Sequence, residues 1–296
     1  MSAVVLALPE SVALARRVSE LAAMPLGVVE SRPFPDGETY VRIDAECADT
    51  SVVLVCTLDR PNHKILPLVF LADTARTLGA RRVGLVAPYL AYLRQDRQFR
   101  PGEAVTSRTF ARLLSGYADW LVTIDPHLHR YDTLNDIYGV PSRAVHAAPA
   151  LATWIAAHVD RPVLVGPDAE SAQWVTDVAG RVGAPSVVMR KTRHGDRVVD
   201  VSAPDLAAYR QHTPVVVDDV VSSAQTMVET VKHLVGAGLR APVCVAVHAL
   251  FSDTAEQALR DAGAARIATT TSVPHSTNMI DVVPLMIPAI RELAAG

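Results

Sequence analysis

The sequence predicts an α/β protein with mainly parallel sheets flanked by helices, and three observations carry that reading. Short β-branched runs recur along the chain, most are followed by helical spacing of apolar residues, and the runs are nearly continuous in apolar character. A strand apolar on both faces belongs to a sheet covered on both sides, as parallel sheets are. With 296 residues, half of them hydrophobic and 20% charged, the chain suffices for about two ordinary domains.

In chain order, strands are expected at 4–8 (VVLAL), 51–56 (SVVLVC), 82–87 (RVGLVA), 120–124 (WLVTI), 162–165, 185–189, 215–217 and 243–247. Helices are expected at 64–78, 107–114, 148–157, 170–182, 224–235 and 254–262, with Gly79, Gly183, Gly236 and Gly263 where left-handed C-terminal caps would sit. Between the first two strands, Pro35, Asp36 and Gly37 read as a tight turn joining two further strands. The pattern of strand, acidic corner and helix occurs in both halves, and no short-period repeat is present, so two similar domains are expected rather than a solenoid. The boundary is placed within 140–149, giving domains 1–143 and 144–283, with a C-terminal helix 284–296 joined to the first.

A formal net charge of -3, with no basic cluster interleaved with aromatics, argues against nucleic-acid binding. No apolar run reaches the roughly 20 residues of a membrane span. The first residues lack the basic region that precedes the apolar core of a signal peptide, so none is expected. Cys47, Cys56 and Cys244 show no C-x-x-C spacing and read as core residues of a protein in the reducing cytoplasm.

The sharpest chemical feature is PVVVDDVVSSAQTM at 214–227. An apolar strand ends in Asp218 and Asp219, and the small polar turn of Ser222, Ser223 and Ala224 leads through Gln225 and Thr226 into a helix. A helix N-terminus with free N–H groups favours a phosphate. The carboxylates would repel that phosphate, so they suit a neighbouring hydroxyl pair or a magnesium ion. A sugar phosphate satisfies both halves, whereas a simple capped helix with solvated acids would explain the pattern without any ligand.

This segment resembles the phosphoribosyl-binding loop of type I phosphoribosyltransferases, and six further segments narrow the resemblance to the ribose-phosphate diphosphokinases. They are FPDGETYVRI at 34–43, PYLAYLRQDRQF at 88–99, TIDPHLH at 123–129, GPDAES at 166–171, MRKTR at 189–193 and VHALFSDTA at 247–255, in the family's order and over nearly the whole chain. The resemblance implies two type I phosphoribosyltransferase-like domains, the first on the ATP side and the second on the ribose 5-phosphate side. It implies transfer of the diphosphoryl group of ATP to the 1-hydroxyl of ribose 5-phosphate, with Mg2+ as cofactor. Charge neutralisation and positioning are most of what a protein can contribute to such a transfer.

Carried over residue by residue, the resemblance makes Lys191 and Arg193 the cations of a mobile catalytic loop and His127 the imidazole near the ATP-bound metal. Arg94, Gln95 and Asp96 would contact ATP, and Phe34, Asp36 and Glu38 would reach the adenine of a neighbouring subunit, which implies a homo-oligomer. Asp168 would sit beside the sugar phosphate and the metal; Asp218 and Asp219 would engage the ribose hydroxyls; Ser222, Ser223, Ala224, Gln225 and Thr226 would hold the 5-phosphate. His129 has no assigned role. Ser222 stands where many relatives carry an acid, and a serine there resembles archaeal-type members; Gln225 stands where many relatives carry glycine, so strain from a positive φ is expected at Gln225. A non-catalytic regulatory homologue would be expected to lose the loop lysine or the histidine, and a nucleobase phosphoribosyltransferase would leave FPDGE and RQD without a purpose.

Overall fold

The computed structural model describes residues 2–194, 198–202 and 206–296, the side chains of 190–202 excepted. Contacts divide the chain into two units, Met1–His146 with Val283–Gly296, and Ala147–Val282.

In the first unit the elements run β1 (Ala3–Ala7), α1 (Val12–Ala22), β2 (Val28–Pro33), β3 (Thr39–Asp44), β4 (Ser51–Val55), α2 (Ile65–Thr77), β5 (Arg82–Val86), α3 (Thr106–Ser115), β6 (Trp120–Ile124) and β7 (Ser142–Val145). The strands β1-β4-β5-β6-β7 form a sheet in which every pairing is parallel. All five residues of β4 and of β6 are buried, as their apolar sequences require. Gly84 faces Trp120 across the β5–β6 register, and a Cβ there would lie 1.8 Å from the indole, so glycine makes room for the fully buried tryptophan. The β2–β3 hairpin forms a separate two-stranded sheet. The C-terminal helix α8 (Val283–Ala295) closes the unit against α1 and the strands β4 to β7. Arg82 Nη1 donates to the Leu293 carbonyl at 3.0 Å, and Arg143 Nη2 to Glu292 Oε1 at 2.7 Å.

In the second unit the elements are α4 (Ala148–His158), β8 (Pro162–Gly166), α5 (Ala172–Val182), β9 (Ser186–Val188), β10 (Arg190–His194), β11 (Val198–Ser202), β12 (Thr213–Val221), α6 (Gln225–Gly236), β13 (Val243–Ala249), α7 (Asp253–Asp261), β14 (Arg266–Thr270) and β15 (Asn278–Ile280). The sheet order is β15-β14-β13-β12-β8-β9, again parallel throughout. α6 buries Met227, Thr230, Val231 and Leu234, the i, i+3, i+4, i+7 spacing of an amphipathic helix.

The two units repeat one topology. In the first, both the N–H and the carbonyl of Val5 bond the 25–27 segment, and Val5 bridges Leu26 in parallel. One residue's N–H and carbonyl point to the same strand edge, so Leu26 flanks β1 opposite β4. The spatial order is then second, first, third, fourth, fifth, sixth in chain sequence, the same as β9-β8-β12-β13-β14-β15. In each unit an antiparallel hairpin follows the second position, β2–β3 in one and β10–β11 in the other. Such a sheet has a topological switch point between its first and third strands, where ligands gather at the strands' C-terminal ends.

Candidate active site

In the second unit the switch point lies between β8 and β12, and the sugar-side candidates flank it. β12 pairs with β8 only as far as Val216–Val165, so Asp218 and Asp219 project past the end of β8. Asp168 follows β8 directly; its Oδ1 accepts the N–H groups of Glu170 (3.1 Å) and Ser171 (3.2 Å). Asp218 Oδ1 accepts the N–H of Asp219 at 3.0 Å, and Asp219 Oδ1 that of Val220 at 2.7 Å. Removal from water, together with the charges of Asp219 and Asp168, pushes the Asp218 carboxyl up to about 8. Asp218 thus feels the charges of both Asp219 and Asp168, an acidic strand end suited to a hydroxyl-rich ligand.

The loop that follows supplies the opposite preference. Ser222 and Ser223 are exposed, and Ala224, the N-cap residue of α6, is buried with φ 58° and makes no side-chain cap bond. The first turn of α6 thus offers its N–H groups to an anion. The positive φ expected at Gln225 falls instead on Ala224, because the chain reverses one residue earlier; Gln225 is the exposed first residue of the helix and Thr226 is partly buried.

The equivalent switch point of the first unit is closed from within. Lys64 is buried in the β4–α2 connection, with Nζ 2.6 Å from Asp59 Oδ1 and 3.1 Å from the Thr57 carbonyl. Arg60 there takes a positive φ of 47°, as Ala224 does in the second unit, and with Lys64 gives this connection two cations beside Asp59.

The nucleotide-side candidates follow β5 and β6. Arg94 is exposed, Gln95 partly buried, and Asp96 buried, with its Oδ1 3.4 Å from Arg130 Nε. His127 is partly buried, and its Nε2 lies 2.6 Å from Nε2 of His129, one imidazole donating to the other across nearly perpendicular rings. His129 therefore acquires a partner that the sequence left unassigned. Just upstream, Asp125 is buried with φ 31°, and its Oδ1 lies 2.9 Å from His146 Nδ1. Positive φ at a non-glycine residue is held only where its surroundings enforce it. Asp125, Arg130 and His146 take their partners from tertiary proximity, which no local sequence pattern shows.

At the β2–β3 hairpin tip, Phe34, Asp36 and Glu38 are all exposed. Arg32 lies over the Tyr40 ring at 4.5 Å and the Phe34 ring at 5.4 Å, and Asp36 Oδ1 accepts the Glu38 N–H at 3.1 Å. Lys191 and Arg193 occupy β10, paired with Val201 and Val199 of β11; their side chains lie outside the described residues. Among the described residues no cluster of three or more His, Cys, Asp or Glu side chains forms a ready-made metal cage.

Comparison with known proteins finds relatives over nearly the full length. Residues 3–117 match the model for the N-terminal domain of ribose phosphate pyrophosphokinase, and residues 142–283 the phosphoribosyl transferase domain. Ribose-phosphate pyrophosphokinase of Methanopyrus kandleri is 34% identical, with 98% of this chain and 99% of that protein covered. The proteins of the same name from Methanothermobacter thermautotrophicus and Sulfurisphaera tokodaii are 31% and 30% identical, covering 94% and 92% of this chain and 96% and 94% of theirs. The crystal structure of phosphoribosylpyrophosphate synthetase from Mycobacterium smegmatis superposes with a TM-score of 0.85 over 99% of both chains, at 24% identity, and so shares the fold.

Proposed function

The chain belongs to the ribose-phosphate pyrophosphokinase family, and on that premise we propose that it transfers the diphosphoryl group of ATP to the 1-hydroxyl of ribose 5-phosphate, releasing AMP. The observation that carries this is the pairing, at one switch point, of an uncapped helix N-terminus with an acidic strand end. The first accepts the 5-phosphate and the second the ribose hydroxyls. A regulatory role has no comparable support, since Lys191, Arg193 and His127 are all retained.

The nucleotide is assigned to Arg94, Gln95 and His127 of the first unit, with the Asp96 carboxyl buried against Arg130. Arg94 is exposed, and a guanidinium offers a planar fork to phosphate oxygens. Phe34, Asp36 and Glu38 present an aromatic face and two carboxylates outward, supporting a homo-oligomer in which a neighbouring copy's hairpin meets the adenine. Lys191 and Arg193 would stabilise charge that develops on the transferring phosphates.

A divalent cation, Mg2+ in our reading, fits the residues present: Asp218, crowded by Asp219 and Asp168, holds a proton that a cation would replace. When bound, a cation neutralises phosphate charge; in the first unit His127, and in the second unit Asp168, is the residue assigned to a metal. The protein's own contribution is orientation: Asp218 and Asp219 fix the ribose hydroxyls, and the 222–226 loop fixes the phosphate. No helix among the described residues is long and apolar enough to cross a membrane. The three cysteines are buried and unbridged, which supports placement in the cytoplasm.

The test is chromatographic. With ATP, ribose 5-phosphate and Mg2+, AMP and phosphoribosyl pyrophosphate should form in equal amounts. Folded protein that binds ribose 5-phosphate yet forms neither product would support the regulatory reading instead.

A further inference from the structure

We propose that Arg130 and Tyr131 are positioning residues that lock the loop bearing Arg94 and Gln95 onto the loop bearing His127. Asp96 sits in an exposed basic stretch, between Arg94, Gln95 and Arg97, yet its own side chain is only 5% exposed. A buried carboxylate needs a partner, because an unpaired ion in such a place is strongly disfavoured. That partner comes from the other loop: Arg130 Nε is 3.4 Å from Asp96 Oδ1.

The backbone of the same segment is held as well. The Tyr131 hydroxyl donates to the Asp96 carbonyl at 3.4 Å and lies 3.2 Å from Ser107 Oγ. Ser107, buried at the start of α3, donates its N–H to the Gln95 carbonyl at 3.3 Å. The loop after β5 is thus tied at one side chain and two carbonyls, and two of these three ties come from the residues that follow His129. Asp96 turned inward fixes which way Arg94 and Gln95 face outward. Arg130 acts through Asp96, so it is a positioning residue rather than a catalytic one.

The kinetic arm of the test rests on the proposed function; the exchange arm does not. Arg130→Ala should raise the KM for ATP about tenfold or more while leaving that for ribose 5-phosphate within about twofold. In the ligand-free protein it should speed hydrogen exchange at the amides of residues 94–99. Adding Asp96→Asn should recover part of both losses, because no buried charge is then left unpaired. If Arg130→Ala does not fold, Arg130→Lys serves in its place, since an ammonium keeps the charge but not the fork. Unchanged exchange at 94–99, an equal rise in both KM values, or no recovery in the double variant would overturn the proposal. An inactive wild type would count against the proposed function alone, with the exchange result still deciding this one.

Discussion

Lys64 Nζ stands 2.6 Å from Asp59 Oδ1 in the β4–α2 connection, which corresponds by topology to the β12–α6 connection of the second unit. One unit places an internal ion pair at its switch point, and the other sets Asp218 beside the charges of Asp219 and Asp168. This difference supports our proposal that the sugar phosphate binds the second unit. Lys64→Met should destabilise the protein by about 3–5 kcal/mol, because Asp59 would be left with no counter-charge, whereas Lys64→Met with Asp59→Leu should recover most of the loss. Denaturant unfolding checks this; equal loss in both variants would mean the pair is not what holds the connection.

Asp218 gives a pH signature with a definite sign. Its carboxyl is raised from 3.8 to about 8, so between those values the folded chain keeps a proton that the unfolded chain releases. Its contribution is fully present below the unfolded value and is lost as pH rises through the folded one. In chelator-containing buffer, the melting temperature of Asp218→Asn relative to wild type should therefore climb from pH 4 to pH 8, the window set by those two values. A difference that stays flat or falls across the window contradicts the crowding of the three acids.

Calorimetry separates the two substrate sites. Asp218→Ala should weaken ribose 5-phosphate binding by about tenfold or more and change ATP binding little, since the lost contacts are those to the ribose hydroxyls. The reverse pattern would reassign the second unit.

Lys191→Ala should lower kcat by about 100-fold or more while the dissociation constant for ATP stays within about threefold, as expected of a charge that acts mainly in the transition state. A matching loss of ATP affinity would make Lys191 a ground-state binding residue.

The turn before α6 makes a prediction about strain. Ala224 holds φ 58°, so Ala224→Val should cost about 1–3 kcal/mol, whereas Gln225→Gly should cost no more than about 1 kcal/mol from lost helix propensity. Thermal unfolding of the two variants distinguishes them; a larger loss at Gln225 would return the strain to that residue.

Strands such as β4 and β6 were readable from the sequence because burial on both faces leaves an unbroken apolar run. β14 was not, since Thr269 and Thr270 are buried through hydroxyl bonds, to Thr277 Oγ1 at 2.9 Å and to the Val247 carbonyl at 2.8 Å, and so look polar in sequence. α1, which buries Ala15, Val18 and Ala22, is not among the helices expected from the sequence. In the candidate site, motif residues such as His127 and Asp218 announce themselves by spacing. The inward turn of Asp96 and its ion pair with Arg130 depend on two loops meeting after adjacent strands, which no local pattern encodes.

ATP labelled at its β-phosphorus distinguishes diphosphoryl from phosphoryl transfer. Incubated with ribose 5-phosphate and Mg2+, the label should appear in phosphoribosyl pyrophosphate, with unlabelled AMP formed in equal amount. Label accumulating in ADP would show transfer of the terminal phosphoryl group alone and would contradict the account.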